Sequence, residues 1–270
     1  MTARPVVIIT GAAGGIGAAM ALKYASKGYA LTLVDIDAAG LKQVEAELQA
    51  LQSDYLLLTG DLQEQDFLHT IVNSTVEKWK RIDVLVNNAA WRTRETMRTI
   101  SPETWEKTWR VCITAPAFLT KYTAEVMEQY HIPGVIINVS SIQSSRAGAG
   151  SPAYTSCKGA LESLTYELAA LYGPKGIRVV AINPGNINTS LSADFTDTTT
   201  NDISNIFNDD MKDNTPLQRA GDVTEIADVA YWLSSGEASF ITGTTILADG
   251  GFLHNFLSYP LKKLQFPKEF

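Results

Sequence analysis

Cysteine is scarce in this 270-residue chain: Cys112 and Cys157 are its two thiols, too few and too far apart for a disulfide framework or a thiolate metal site. Also missing is any apolar run of roughly eighteen residues, so no membrane-spanning helix is expected. Basic charge is in deficit, with 22 Lys and Arg against 29 Asp and Glu and a net charge of −7. An acidic chain lacks the clustered positive charge that nucleic acid attracts. Neither an internal repeat nor a low-complexity tract occurs, and no linker-like shift in composition divides the chain, so one domain is expected. The opening MTARPVVIITGAAGGIG places only VVII ahead of polar Thr10 and a glycine cluster, which suits a buried strand better than a secretory segment. The expected compartment is a reducing cytoplasm, and the expected partner is a small molecule rather than a membrane or nucleic acid.

What is present is the 45% apolar, 19% charged composition of an ordinary globular protein. Short apolar runs at 6–10, 30–35, 55–60, 82–88, 134–140, 177–183 and 244–249 alternate with helical patterns at 15–27, 37–51, 63–79, 101–130, 151–173 and 222–235. That alternation is the signature of βα units. It predicts an α/β fold: one Rossmann-type doubly wound domain, a seven-stranded parallel sheet with helices on both faces. Ser101 followed by Pro102 reads as a helix start, and Asp222 with Glu225 as a capping box. Two segments break the rhythm. Residues 186–220 are rich in Thr, Asp and Asn and too long for a simple connection; Ile203, Ile206 and Phe207 give them a short amphipathic helix, which suits a substrate lid over a catalytic domain at 1–251. The tail at 252–270 is so apolar that it is expected to pack on the body or on a neighbouring subunit.

The first strand runs straight into TGAAGGIGAAM, which sets Gly11, Gly15 and Gly17 at the mouth of a helix. Glycines there permit tight turning and close approach of backbone N–H groups to a diphosphate, and the helix end adds partial positive charge. The spacing T-G-x-x-x-G-x-G differs from the GxGxxG fingerprint. Eighteen residues past Gly17, the second strand ends at Asp35, where a carboxylate would accept hydrogen bonds from an adenosine ribose and repel a 2′-phosphate. No Arg or Lys in the glycine loop or just after Asp35 offsets that repulsion, so the expected cofactor is NAD. Further on, AYTSCKG places Tyr154 and Lys158 four residues apart, hence on one face of a helix.

Taken together, these segments resemble the short-chain dehydrogenase/reductase family over residues 5–251. TGAAGGIG looks like that family's cofactor loop, GDL with Asp61 and Leu62 like its adenine-contacting turn, and NNAA at 87–90 like its segment after the fourth strand. NVSSI, YTSCK, NPGNINT and ITGTTILADGG continue the match in the family's order. The resemblance implies that Tyr154 is the general acid/base of an alcohol–carbonyl interconversion and that Ser141, thirteen residues before it, holds the substrate oxygen; Ser140 reads as structural. A free phenol titrates near 10, and Lys158, helped by an oxidised nicotinamide, would favour its phenolate by about 1–3 pK units. It further implies cofactor contacts from Ile16, Asn88, Ala89, Lys158, Pro184, Gly185, Ile187 and Thr189. Homotetramers or dimers are common among such proteins.

One departure stands out: the family's fourth catalytic residue, an asparagine, is replaced by Cys112 in VCITAPAF. A thiol is the weaker hydrogen-bond partner. Three readings follow: backbone groups hold the proton-relay water unaided, activity is reduced, or catalysis is lost. With Ser141, Tyr154 and Lys158 present, an active enzyme is expected, and Cys112→Asn is expected to raise turnover. Substrate contacts are expected from Trp91, Arg92, Arg94, Gln143 and Arg146, an aromatic wall with guanidinium and amide donors that suits a sugar or sugar acid. The alternatives are a hydrophobic ketone of steroid or 3-oxoacyl type, or a nucleotide-binding sensor with weakened chemistry.

Overall fold

The computed structural model describes residues 4–189 and 203–270. Most of the Thr- and Asp-rich part of the expected lid, residues 190–202, lies outside the described residues. Seven strands form one sheet: β1 (Val6–Thr10), β2 (Ala30–Asp35), β3 (Tyr55–Thr59), β4 (Val84–Asn87), β5 (Val135–Val139), β6 (Arg178–Pro184) and β7 (Thr244–Ala248). Their order is β3-β2-β1-β4-β5-β6-β7, and every neighbouring pair is parallel. The order reverses direction between β1 and β4, which opens a crevice beyond the carboxyl ends of those strands.

Burial follows position in the sheet. β1, β4 and β5 are buried throughout, as continuous apolar runs require when helices cover both faces. The outer strands β3 and β7 are only half-buried along most of their length, because each has one strand neighbour instead of two. On one face pack α1 (Gly15–Ser26), α2 (Ala38–Ala50) and α8 (Val223–Ser234), around Met20, Tyr24, Leu41, Ile226 and Ala230. The buried Tyr24 hydroxyl faces the Ala230 carbonyl and the Ser234 hydroxyl, each at 3.1 Å, which fixes α1 against α8. The opposite face carries α3 (Gln65–Trp79), α5 (Ala115–Gln129) and α6 (Pro152–Tyr172), around Leu68, Ile71, Leu119 and Met127.

The helix expected over 101–130 is three pieces. After α4 (Pro102–Trp109), capped by Ser101 at Thr104 N, the backbone makes a π-helical turn over Arg110–Thr114 before continuing as α5. A π turn inserts one residue into the helical ladder and is frequent at functional sites. The short helix expected near Ile203 is α7 (Ser204–Asp213), and the tail adds α9 (Tyr259–Gln265). Asp222 and Glu225 form the expected capping box on α8.

Candidate active site

A cavity of about 570 Å³ opens at the carboxyl ends of β1, β2, β4, β5 and β6. Its floor at the β1 end is the glycine loop. Gly11 has φ +66, and a Cβ there would come within 2.8 Å of Ala89 Cα. At Gly17 a Cβ would collide with the Gly11 carbonyl oxygen and the Asn88 amide. Close packing of this kind exposes backbone N–H groups at the start of α1, whose Gly14 N-cap makes no side-chain hydrogen bond. The loop is locked to β4. Thr10 Oγ1 accepts from the N–H groups of Asn88 and Ala89, both at 3.1 Å, while Asn88 Nδ2 donates to the carbonyls of Thr10 and Gly11 at 3.0 Å. The two sequence segments TG and NNAA are thus one hydrogen-bonded unit.

Asp35 lines the cavity, and its carboxylate accepts from Ala13 N at 2.9 Å and Asp37 N at 3.0 Å. The same contacts tie β2 to the glycine loop. Ile16, Pro184, Gly185, Ile187 and Thr189 line the cavity too, with Thr189 Cγ2 at 3.4 Å from where a Gly15 Cβ would stand. Asp61 and Leu62 lie outside that lining: the Asp61 carboxylate accepts from the backbone and side-chain nitrogens of Gln63, and Leu62 is buried in the core.

Tyr154 and Lys158 lie on α6 and both line the cavity, at 7% and 2% exposure. The Lys158 Nζ is 5.4 Å from the centre of the Tyr154 ring and donates to the Val139 carbonyl at 2.6 Å. Ser141 lines the cavity at the end of β5, and its Oγ accepts from Gln143 N at 3.1 Å. Ser140 lines the cavity too, but its hydroxyl is turned to α6. Its hydroxyl is within reach of Lys158 O at 3.1 Å and Glu162 Oε1 at 3.2 Å.

Glu162 escaped the sequence reading. It stands one turn beyond Lys158, and its Oε1 also accepts from Asn183 Nδ2 at 2.7 Å, so one carboxylate joins the ends of β5 and β6 to α6. The spacing from Lys158 was the available signal. A second buried ladder runs from Asn87 Nδ2 to Asn138 Oδ1 and from Asn138 Nδ2 to Thr165 Oγ1, each at 2.9 Å, linking β4, β5 and α6.

Cys112 sits inside the π turn, fully buried. Its Sγ accepts from Trp91 N at 3.4 Å and donates to Trp91 O at 3.5 Å. An amide would offer the same pair of bonds, one donor and one acceptor. The thiol is therefore engaged with the backbone after β4 and is not part of the cavity lining, which removes the basis for expecting Cys112→Asn to raise turnover. Cys157 packs in the same small cluster, and its thiol is pushed up to about 12, first by burial and then by the nearby Cys112.

The five expected substrate residues divide. Arg92, Arg94 and Gln143 line the cavity, joined by Phe207 and Met211 from α7. Trp91 does not: it packs against the Cys112 cluster, with the Lys107 ammonium 4.3 Å from its ring. Arg146 does not either. Its guanidinium stacks 4.3 Å from the Phe252 ring and donates to the Phe252 carbonyl at 3.0 Å. Both reach away because loop side chains turn toward the nearest packing partner.

Comparison with known proteins agrees with this fold. Residues 11–253 match a family model described as enoyl-(acyl carrier protein) reductase. A short-chain dehydrogenase/reductase of Hericium erinaceus is 30% identical over 94% of this chain and all of its own length. The chain belongs to the short-chain dehydrogenase/reductase family. An uncharacterised oxidoreductase of Thermotoga maritima is 33% identical over 91% of this chain and 94% of its own. Among solved structures, an NAD+-bound xylitol dehydrogenase superposes with a TM-score of 0.84 at 25% identity, covering 93% of this chain and all of that one. An NADPH-dependent reductase of bacilysin biosynthesis superposes at 0.83, also 25% identical, covering 93% and 98%. The short-chain dehydrogenase/reductase fold binds a nicotinamide dinucleotide, and the glycine cradle, which has no room for a Cβ at Gly11 and Gly17, fits such a group. Among the described residues no helix is long and apolar enough to cross a membrane.

Proposed function

We propose that this oxidoreductase uses NAD to interconvert a secondary or anomeric alcohol and a carbonyl, on a sugar or sugar acid. The observation that carries the proposal is the Lys158 ammonium held 5.4 Å from the Tyr154 ring in the cavity that the glycine loop enters. When bound, the nicotinamide ring supplies hydride acceptance or donation. Gly11, Gly15, Ile16 and Gly17 would hold the diphosphate, Asp35 the adenosine ribose, and Asp61 and Leu62 the adenine side. Asn88, Ala89, Pro184, Gly185, Ile187 and Thr189 would flank the nicotinamide half.

Tyr154 then takes the hydroxyl proton in oxidation and returns it in reduction. An ammonium beside the ring lowers the cost of negative charge on the phenolic oxygen. Lys158 has three donors, one of which is spent on Val139 O; the others would be available to the phenolic oxygen and the nicotinamide ribose. Ser141 already accepts from Gln143 N, so its own O–H is left to donate to the substrate oxygen. Asp35 supports NAD over NADP, since its carboxylate faces the cavity and neither the glycine loop nor residues 36–38 carry a cation. The exposed apolar side chains at Phe240, Phe256 and Leu264 support a homo-oligomer.

Phe207 and Met211 favour a second reading, because they give the cavity an apolar wall suited to a hydrophobic ketone. Incubation with NAD or NADP and a panel of polyols, aldoses, sugar acids and steroids, followed by absorbance of the reduced cofactor, separates the readings. Turnover of the sugar series with NAD is expected. Turnover confined to steroids, or a preference for NADP, would overturn the proposal. Cofactor binding with no turnover across the panel would identify a sensor.

A further inference from the structure

We infer that Asn255, in the tail, is a positioning residue for one wall of the cavity: it holds the end of α7 and thereby sets substrate affinity without itself lining the cavity. The kinetic part of this inference rests on the activity proposed above; the structural part stands without it.

The wall is α7, which contributes Phe207 and Met211 to the cavity lining. It is joined to the segment after β6, where Asn186 Nδ2 donates to Asn208 Oδ1 at 3.1 Å. A helix of ten residues is too short to persist alone in water, and of its described residues only Ser204 is buried. Such a helix takes its place in large part from what is bonded to its ends. The last carbonyls of a helix have no partner within it, and the carbonyl of Asn214, the C-cap of α7, accepts from Asn255 Nδ2 at 2.7 Å. The rest of that amide is committed too. Its Nδ2 also donates to Leu257 O at 2.9 Å, and its Oδ1 accepts from Lys262 Nζ on α9 at 2.7 Å. An ammonium can only donate, so Lys262 keeps the amide oxygen on its own side and leaves the nitrogen facing the Asn214 carbonyl.

The stretch that carries Asn255 there is seated against both sides of the cavity mouth. Gly250 and Gly251, at φ +63 and +89, turn the chain close over the end of α7: a Cβ at Gly250 would stand 2.7 Å from Thr215 Cγ2. Leu217 N donates to Gly250 O at 3.2 Å, and the Thr215 hydroxyl donates to the carbonyl of Met211 at 2.7 Å. On the other side the Phe252 carbonyl accepts from the Arg146 guanidinium at 3.0 Å, and Arg146 N donates to Ile142 O at 3.0 Å, between Ser141 and Gln143 of the lining. Residues 250–255 therefore clasp α7 and the loop after β5 together, and the Asn255 amide closes the clasp on the α7 side.

The test uses the full chain loaded with NADH and compares Asn255→Ala, Asn255→Asp, Lys262→Met and the control Lys263→Met by hydrogen–deuterium exchange read by mass spectrometry. Asn255→Ala removes every bond of the amide. Asn255→Asp keeps the acceptor for Lys262 and sets a carboxylate oxygen against the Asn214 carbonyl. In both, peptides covering 203–214 are expected to exchange about tenfold faster than in wild type, as befits one or two lost hydrogen bonds, with α1 peptides unchanged. Lys262→Met is expected to give a smaller rise in the same peptides and Lys263→Met none. The kinetic arm takes any alcohol of the panel above that is oxidised: its KM is expected to rise about fivefold in Asn255→Ala, with NADH affinity within about twofold of wild type. Equal exchange of 203–214 in wild type and Asn255→Ala, a rise shared by α1, or wild-type exchange in Asn255→Asp overturns the clasp. Faster exchange with unchanged KM overturns its part in substrate affinity. If no alcohol of the panel is oxidised, the proposed activity fails, while exchange still decides whether Asn255 holds α7.

Discussion

An ammonium that is 2% exposed has lost nearly all its water, and a charge in that state must be compensated by nearby groups or be driven out. Lys158 meets the requirement with the Val139 carbonyl and the face of Tyr154, so removing either partner of the pair has distinct consequences. Tyr154→Phe is expected to reduce turnover by about 10²–10⁴-fold, the range for a lost general acid/base, while NADH binding followed by fluorescence stays near wild type. Lys158→Met is expected to lose both turnover and NADH affinity; retention of NADH affinity would show that its ammonium does not reach the cofactor. The pair was legible in the sequence because a four-residue spacing on a helix fixes relative direction locally. Trp91 and Arg146 lie outside the described cavity lining because loop side chains follow packing partners that sequence spacing does not reveal, Phe252 being 106 residues from Arg146. The thiols make a separate prediction. Cys112 and Cys157 are fully buried, and Cys157 is pushed up to about 12, so a thiol reagent at neutral pH should label neither in the native protein and both after unfolding.

Elements place these residues through a few shared hydrogen bonds. The π turn at Arg110–Thr114 brings Cys112 to the Trp91 backbone, two residues after Ala89 of the cofactor side. Cys112→Ala would leave both Trp91 groups unsatisfied, at a cost of about 1–3 kcal/mol each for truly buried groups. It is expected to lower the melting temperature and turnover together, whereas Cys112→Asn is expected to keep turnover within about threefold. A fall in turnover beyond tenfold in Cys112→Asn would show that the site depends on sulfur itself. Glu162 acts in the same way between strands: Glu162→Gln keeps an oxygen to accept from Asn183, so it should keep more activity than Glu162→Ala. The α8 cap adds a pH dependence. The paired Arg219 guanidinium and then the Asp222 N–H hold the Glu225 carboxyl down to about 2 from 4.5. A carboxyl depressed on folding stabilises above its unfolded pKa and loses that contribution as pH falls toward the folded value. The pair is largely exposed, so its worth is modest. Melting of Glu225→Gln should lie below wild type at pH 6, and the gap should narrow steadily as pH falls from about 4.5 toward 2.

At the scale of the whole molecule, seven apolar runs were enough to specify a parallel sheet, since strands buried on both faces cannot alternate polar and apolar residues. The interruption between α4 and α5 was not legible, because a π turn preserves helical periodicity on either side of it. The tail was legible only as an apolar surplus. In the structure its first part is tied down: Phe252 by Arg146, and Asn255 by its amide's bond to the Asn214 carbonyl. Beyond that, α9 presents Leu261 at 53% and Leu264 at 80% exposure, with Phe256 at 94% just before it. These exposed apolar side chains, set beside Lys262 and Lys263 on a chain of net charge −7, support the proposed packing of α9 on a second copy. A chain ending at Ser258 keeps the Arg146 and Asn255 ties and removes α9. Sedimentation velocity is expected to show the full chain as an oligomer and the shortened chain as a smaller species with its melting temperature little changed. Identical sedimentation of the two would place the interface elsewhere, on the exposed edge formed by Phe240 and β7.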